Sequence, residues 1–218
     1  RRRWRCTARH FECLPCSGKE NIISLHYSNI MGKQLDRITP ELESFIAKQH
    51  IYFVATAAET GTVNLSPKGM DSLRILGPNR VMWLNVTGSG NETAAHLLLN
   101  DRITIMFCAF EGKPLILRLY GHGKAYHPAD AEWHEYYPLF TPLEGARQLI
   151  DIQVDLVQTS CGMAVPFMDY NRERDELNAW ARKQGPDGIH NYWARKNMAS
   201  IDGFDTGIFA STASDAGK

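Results

Sequence analysis

No apolar run in this 218-residue chain approaches the roughly 18 residues that a membrane-spanning helix needs. The longest candidate, Ile103 to Phe110, has the length of a buried strand. Neither sign of charge is in excess: 24 Lys and Arg stand against 24 Asp and Glu. The basic surplus of a nucleic-acid binder is missing. Nucleic-acid and membrane partners are therefore not expected. No Gly-Lys-Ser/Thr run closes a P-loop. No Ser-His-Asp triad is recognisable. His96, His122, His127, His134 and His190 are scattered without metal-ligand spacing. Cys13-Leu-Pro-Cys16 is a single CxxC without a second pair, too little to argue for a metal. Internal repeats, low-complexity stretches and long βαβ crossovers are also absent.

What is present has the composition of one well-packed globular domain: 44% apolar and 22% charged residues. Residues 1–30 are Arg-rich and show neither helical nor strand periodicity. They lack the apolar core of a secretory signal. The reading favoured over a targeting segment is a disordered upstream extension, with the domain running over 31–205 and a flexible tail over 206–218. Cys108 and Cys161, each in apolar surroundings, read as core thiols, and a reducing, cytoplasmic setting fits.

Thr39-Pro40-Glu41 is a helix start, with a capping hydroxyl, a first-turn proline and acids at the positive end of the dipole. Ile51–Ala57 and Thr62–Ser66 read as a hairpin about Glu59-Thr60-Gly61. Further strands are predicted over Leu73–Leu76, Arg80–Val86, Ile103–Phe110, Leu115–His122 and Leu149–Thr159. The strand from Leu115 extends to Tyr126 past glycines that suggest a bulge. Helical spacing marks Asn91–Asn100, Asp130–Tyr137, Asn171–Gln184 (Leu177 and Trp180 inward) and Ile189–Asn197, the last two parted by Gly185-Pro186-Asp187-Gly188. Consecutive hairpins with few short helices argue for an antiparallel barrel.

Two elements carry candidate chemistry. Asn64-Leu65-Ser66-Pro67-Lys68-Gly69 ends a strand, and Thr87-Gly88-Ser89-Gly90-Asn91-Glu92-Thr93 joins a strand to a helix. Glycines let the backbone approach a ligand, and free N–H groups at a helix start favour an anion. Ser89, Asn91 and Thr93 add donors, and Lys68 supplies an opposing cation. Together they suit a phosphate monoester. A plain loop with a capping Asn and a solvated Lys is the competing reading.

The run Val81 to Phe107, with its hydroxyl-rich loop and Asn100-Asp101-Arg102-Ile103-Thr104-Ile105-Met106-Phe107, resembles the pyridoxamine 5'-phosphate oxidase-like FMN-binding split barrels. Arg118-Leu119-Tyr120-Gly121, Ser160-Cys161-Gly162 and the stretch Lys196-Asn197 to Ser200-Ile201-Asp202-Gly203 extend the resemblance over roughly Leu35 to Gly203. It implies a mainly β fold with peripheral helices, an antiparallel split β-barrel. It implies FMN as cofactor, with Ser66, Lys68, Gly69, Ser89, Asn91, Thr93 and Arg118 as its contacts. Arg118 would serve the flavin of the same or a partner subunit. A homodimer is implied, and Tyr136, Tyr137 and Phe140 read either as an exposed aromatic set suited to it or as ordinary local packing. Trp83 reads as core, or as a residue near the flavin ring.

Two departures bear on activity. In the oxidase a Ser-Arg-Lys run occupies the positions held here by Asn91-Glu92-Thr93. Two cations are lost, so Lys68 must carry more of the phosphate charge, and Glu92 points away or is a solvated helix residue. The oxidase's C-terminal Trp and Arg-Leu segment is not matched by Trp193-Ala194-Arg195. The expectation is an FMN-dependent oxidoreductase acting on an unidentified small molecule, without vitamin B6 oxidation being assigned. The alternatives are a non-catalytic flavin-binding or sensing module, or a relative that holds haem or a deazaflavin.

Overall fold

The computed structural model describes residues 32–210. The expectations for residues 1–30, including Cys6, Cys13 and Cys16, and for residues 211–218 lie outside the described residues.

Eight strands are present among the described residues: β1 (Gln34–Leu35), β2 (Tyr52–Thr56), β3 (Asn64–Lys68), β4 (Leu73–Gly77), β5 (Arg80–Val86), β6 (Arg102–Cys108), β7 (Ile116–Tyr126) and β8 (Ala146–Ser160). Every pairing between them is antiparallel. The order is β3-β2-β6-β7-β8-β5-β4, with β1 added on β8. The two end strands, β3 and β4, do not pair with each other. Side chains bridge the gap instead: Tyr52 Oη lies 2.8 Å from Ser72 Oγ, and Lys68 Nζ sits 4.6 Å from the centre of a Trp83 ring. A sheet that curls until its ends face each other without closing is a split barrel, as the sequence predicts.

Alternation sets the two faces. Val81 and Trp83 on β5 enter the barrel interior with Ile105, Phe107, Leu119 and Ile152. Met82 and Leu84 point the other way, into a second cluster with Trp133, Phe140 and Leu149. That outer cluster lies under helix α3 (Ala131–Tyr136) and the 3₁₀ turn Tyr137–Leu139. Of the two readings of the aromatic set, local packing is the one the structure takes. Phe140 is only 4% exposed, and Tyr137 stacks on Trp133 with ring centres 4.6 Å apart.

The first helix, α1 (Pro40–Ile46), starts as its sequence demands: Leu42 N–H donates to Thr39 Oγ1, and Leu42 and Ile46 are buried. Helix α2 (Glu92–Leu99) buries Thr93 through Leu97 against the barrel. Gly121 marks the predicted bulge, where the β7–β8 register shifts between Tyr120 and Gly121. A Cβ at Gly121 would run into the main-chain carbonyl of Gln153.

Three further differences from the sequence reading concern the C-terminal third. Helix α4 begins at Glu176 rather than Asn171, and Leu177 and Trp180 are half-buried while Ala181 is buried. It runs to Lys196, broken at Gly185, whose φ of 64° only glycine adopts readily. Residues 171–175 are polar and exposed and precede the helix without regular structure. Cys161 is exposed, because β8 ends at Ser160, whereas Cys108 is buried as expected. Packing also continues past residue 205: Thr206 is 1% exposed and Ile208 6%.

Candidate functional site

The two predicted elements meet. Asn64 Nδ2 on β3 donates to Thr93 Oγ1 on α2 (3.2 Å) and to Thr56 Oγ1 on β2 (3.3 Å). Ser66 Oγ donates to Asn64 Oδ1 at 2.9 Å. Thr56 Oγ1 in turn lies 3.1 Å from Nδ1 of the fully buried His96. This polar ladder fastens the strand that ends in Lys68 to the helix that starts at Glu92.

Lys68 lies on the inner face of β3, in register with the buried Tyr52. Its ammonium rests on Trp83 and has no carboxylate partner among the described residues. Burial, and then the neighbouring charge of Arg147, pull its pKa down to about 8. Trp83 itself is 1% exposed, so it is core and at the same time the platform for this cation.

Arg147 was not among the residues singled out from sequence. It stands one position into β8, between Ala146 (opposite Val86) and Gln148 (opposite Asn85), as the extra residue of a β-bulge. Bulges re-aim side chains, and this one turns an arginine inward that strand alternation alone would not place there. Arg147 is 3% exposed, and burial lowers its pKa to about 10. Its Nη1 donates to Gly90 O (3.0 Å) and to Asn197 Oδ1 (2.8 Å), both neutral acceptors, while Nε has no partner. An arginine preceding an apolar strand reads in sequence as a solvated terminus, and no spacing signal marks it otherwise.

The remaining predicted residues divide. Asn91 is 2% exposed; its Nδ2 donates to Asn197 O (3.2 Å) and its Oδ1 is left without a partner. It does not cap α2 with its side chain. Thr93 is buried and its hydroxyl accepts from Asn64. Gly69 follows Lys68 at a close approach, where a Cβ would lie 3.2 Å from His50 O. Ser89 is exposed on the loop. Glu92 is turned to the C-terminal segment, its carboxylate accepting from Ile201 N (3.0 Å). Arg118 is not brought to this cluster within one chain. It lies opposite Met106, which is opposite Phe53, which is opposite Pro67, and this row occupies the outer face of the sheet. Its Nη1 donates to Ser160 Oγ at 2.9 Å.

Lys68, half-buried on Trp83, and Arg147, buried and bonded to neutral acceptors beside the glycine loop, have no carboxylate partner among the described residues. A carboxylate in the protein would have cancelled that charge. A cavity lined by Asn171–Glu176 and Ala179 involves none of these residues. No group of His, Cys, Asp and Glu suited to a metal occurs among the described residues. No helix is long and apolar enough to cross a membrane among them.

The chain is 36% identical over 139 residues to the pyridoxamine 5'-phosphate oxidase family protein ustO of Aspergillus flavus, a match that covers 62% of this chain and 56% of that one. The chain thus spans little more than half of that relative's length. Among solved structures it is similar to HupZ of Group A Streptococcus (21% identity, 56% of this chain and 98% of that one, TM-score 0.46). It is also similar to a putative pyridoxamine 5'-phosphate oxidase of Lactobacillus delbrueckii (14%, 59% and 98%, TM-score 0.46) and to HutZ, the haem storage protein of Vibrio cholerae (16%, 58% and 98%, TM-score 0.42). The family profile described as pyridoxamine 5'-phosphate oxidase matches residues 38–161, more than half of the sequence, and the chain belongs to that family.

Proposed function

We propose that this protein binds FMN, with the phosphate between Lys68 and Arg147 beside the Gly88–Asn91 loop, and uses it as an oxidoreductase on a small molecule. The observation that carries the reading is the pair of unneutralised cations, Arg147 buried and Lys68 half-buried. Desolvating two like charges costs free energy in the empty protein, and a dianionic ester offsets that cost. The orphaned Nε of Arg147 supplies a further donor at the same place. The fit repairs the departure noted in sequence. The cations absent from Asn91-Glu92-Thr93 are replaced by one from β8, and Glu92 is occupied elsewhere.

When bound, FMN would supply transfer of a hydride or an electron pair. The chain's own contribution is to hold the phosphate, keep water from it and fix the register of the loop. An electron donor, a small-molecule substrate and a second copy of the chain are the partners of this reading. Arg118, on the outer face, would then serve the second copy. The free thiols Cys108 and Cys161 suit a reducing, cytoplasmic setting.

The test is titration of the full chain with FMN and with riboflavin, which lacks the phosphate. Tighter binding of FMN by about tenfold or more supports the site, since a charge-assisted contact contributes on the order of 1.5–3 kcal/mol. Equal binding of the two, or a co-purifying pigment with a Soret band, removes it. Bleaching of bound flavin by NADH or NADPH and recovery in air separates an enzyme from a flavin-holding module.

A further inference from the structure

Arg147 and the glycine loop are both organised by one neutral side chain at the far end of the sequence. Asn197 follows the last turn of α4 and is 0% exposed. Its Oδ1 accepts from Arg147 Nη1 at 2.8 Å, and its Nδ2 donates to Gly88 O at 3.1 Å. Its carbonyl accepts from Asn91 Nδ2 (3.2 Å) and from Thr206 Oγ1 (2.6 Å), and its N–H donates to Trp193 O (2.8 Å). Every polar group of the residue is used.

The neighbouring contacts reinforce this. Trp193 Nε1 donates to Thr87 Oγ1 at 2.8 Å, and Glu92 accepts from Ile201 N. The end of α4 and residues 197–206 thus form a strap bonded along the loop at Thr87, Gly88, Asn91 and Glu92. An amide suits the task in a way that a carboxylate does not. It aligns the guanidinium through one lone pair yet leaves the positive charge for a ligand. An Asp in its place would align Arg147 and neutralise it.

We propose that Asn197 is a positioning residue of the anion site, aiming Arg147 and the Gly88–Asn91 loop at a phosphate monoester without cancelling the guanidinium charge. The C-terminal strap is thereby part of the ligand site rather than an appendage of the barrel. This inference rests on the FMN reading above. It concerns the phosphate end only, so its signature is the preference for FMN over riboflavin, which a merely structural role would not move selectively.

The experiment compares full-length wild type with Asn197→Asp, Asn197→Ser and Thr206→Val by fluorescence titration with both flavins, with circular dichroism and thermal melting as fold controls. In Asn197→Asp the FMN preference is expected to fall by at least about tenfold, the scale of one charge-assisted hydrogen bond. Riboflavin affinity should stay within about threefold. Asn197→Ser and Thr206→Val should show smaller losses in the same direction. Folded Asp and Ser variants that keep the wild-type preference overturn the proposal. So does failure of both to fold, which would make Asn197 a structural residue alone. Wild type without any preference for FMN sinks the FMN reading itself, a result distinguishable from either.

Discussion

Replacing Lys68 by Met should stabilise the empty protein and weaken FMN binding at the same time. Met keeps the aliphatic length that lies on Trp83 and removes the charge. In the folded protein the lysine pKa falls from 10.5 to about 8, chiefly through burial and then through Arg147. A shift of that size corresponds to on the order of 3 kcal/mol of cost at neutral pH, at about 1.4 kcal/mol per unit. The cation–π contact with Trp83, about 0.5–2 kcal/mol, is lost with the charge and subtracts from the gain. A net stabilisation of about 1–2.5 kcal/mol remains, a rise of roughly 2–10 °C in Tm for a domain of this size. The same substitution removes one cation from the phosphate, so the FMN Kd should rise about 10- to 100-fold. Thermal melts of Lys68→Met and wild type, each without flavin and with saturating FMN, read both signs in one assay. A less stable empty variant with unchanged FMN affinity would refute the argument that Lys68 is a strained, waiting cation.

Because the folded pKa of Lys68 is depressed, the unfolded chain holds more protons between about pH 8 and 10.5, and stability of the empty protein should rise with pH through that window. FMN needs the protonated amine, so its Kd should increase above about pH 8, approaching tenfold per pH unit, while riboflavin shows no such dependence; flavin titrations from pH 7 to 9.5 check it. Gly121→Ala should abolish folding or cost more than about 3 kcal/mol, because its Cβ would meet the backbone of β8 rather than a side chain able to move; denaturant melts decide. His122 bonds Asp101 Oδ1 at 2.8 Å through Nδ1 and Asp155 Oδ2 at 3.1 Å through Nε2. Its pKa is raised, first by the Asp101 hydrogen bond. The small stability it adds is complete below the unfolded value of 6.5 and is lost as pH rises through the folded value. NMR titration should place His122 above that value, and Asp101→Asn should lower it.

Much of the architecture is legible because it is local. Thr39-Pro40 starts α1, alternation along Arg80–Val86 sorts Trp83 from Met82, and the glycines near residue 121 announce a bulge. Each of these follows from the steric and hydrophobic demands of a few consecutive residues. Lys68, Asn91 and Thr93 were singled out for a similar reason: a cation, a glycine loop and a helix start are chemical signals in short windows. The resemblance to a family then joined them.

Arg147 and Asn197 were not legible. Nothing near Arg147 in the sequence distinguishes it from a solvated arginine at a strand's end; the bulge opposite Asn85 and Val86 turns it inward. Asn197 gains its role from partners about 50 and 110 residues away. Arg118 was carried over from the family for the flavin of the same or a partner subunit, and strand register, which only the fold supplies, puts it on the outer face of the sheet. The sequence by itself determined the elements and the barrel, since period and turns act over a few positions. Only the tertiary structure decided which cations face each other without a counter-charge, because burial and charge pairing belong to contacts between segments remote in the chain.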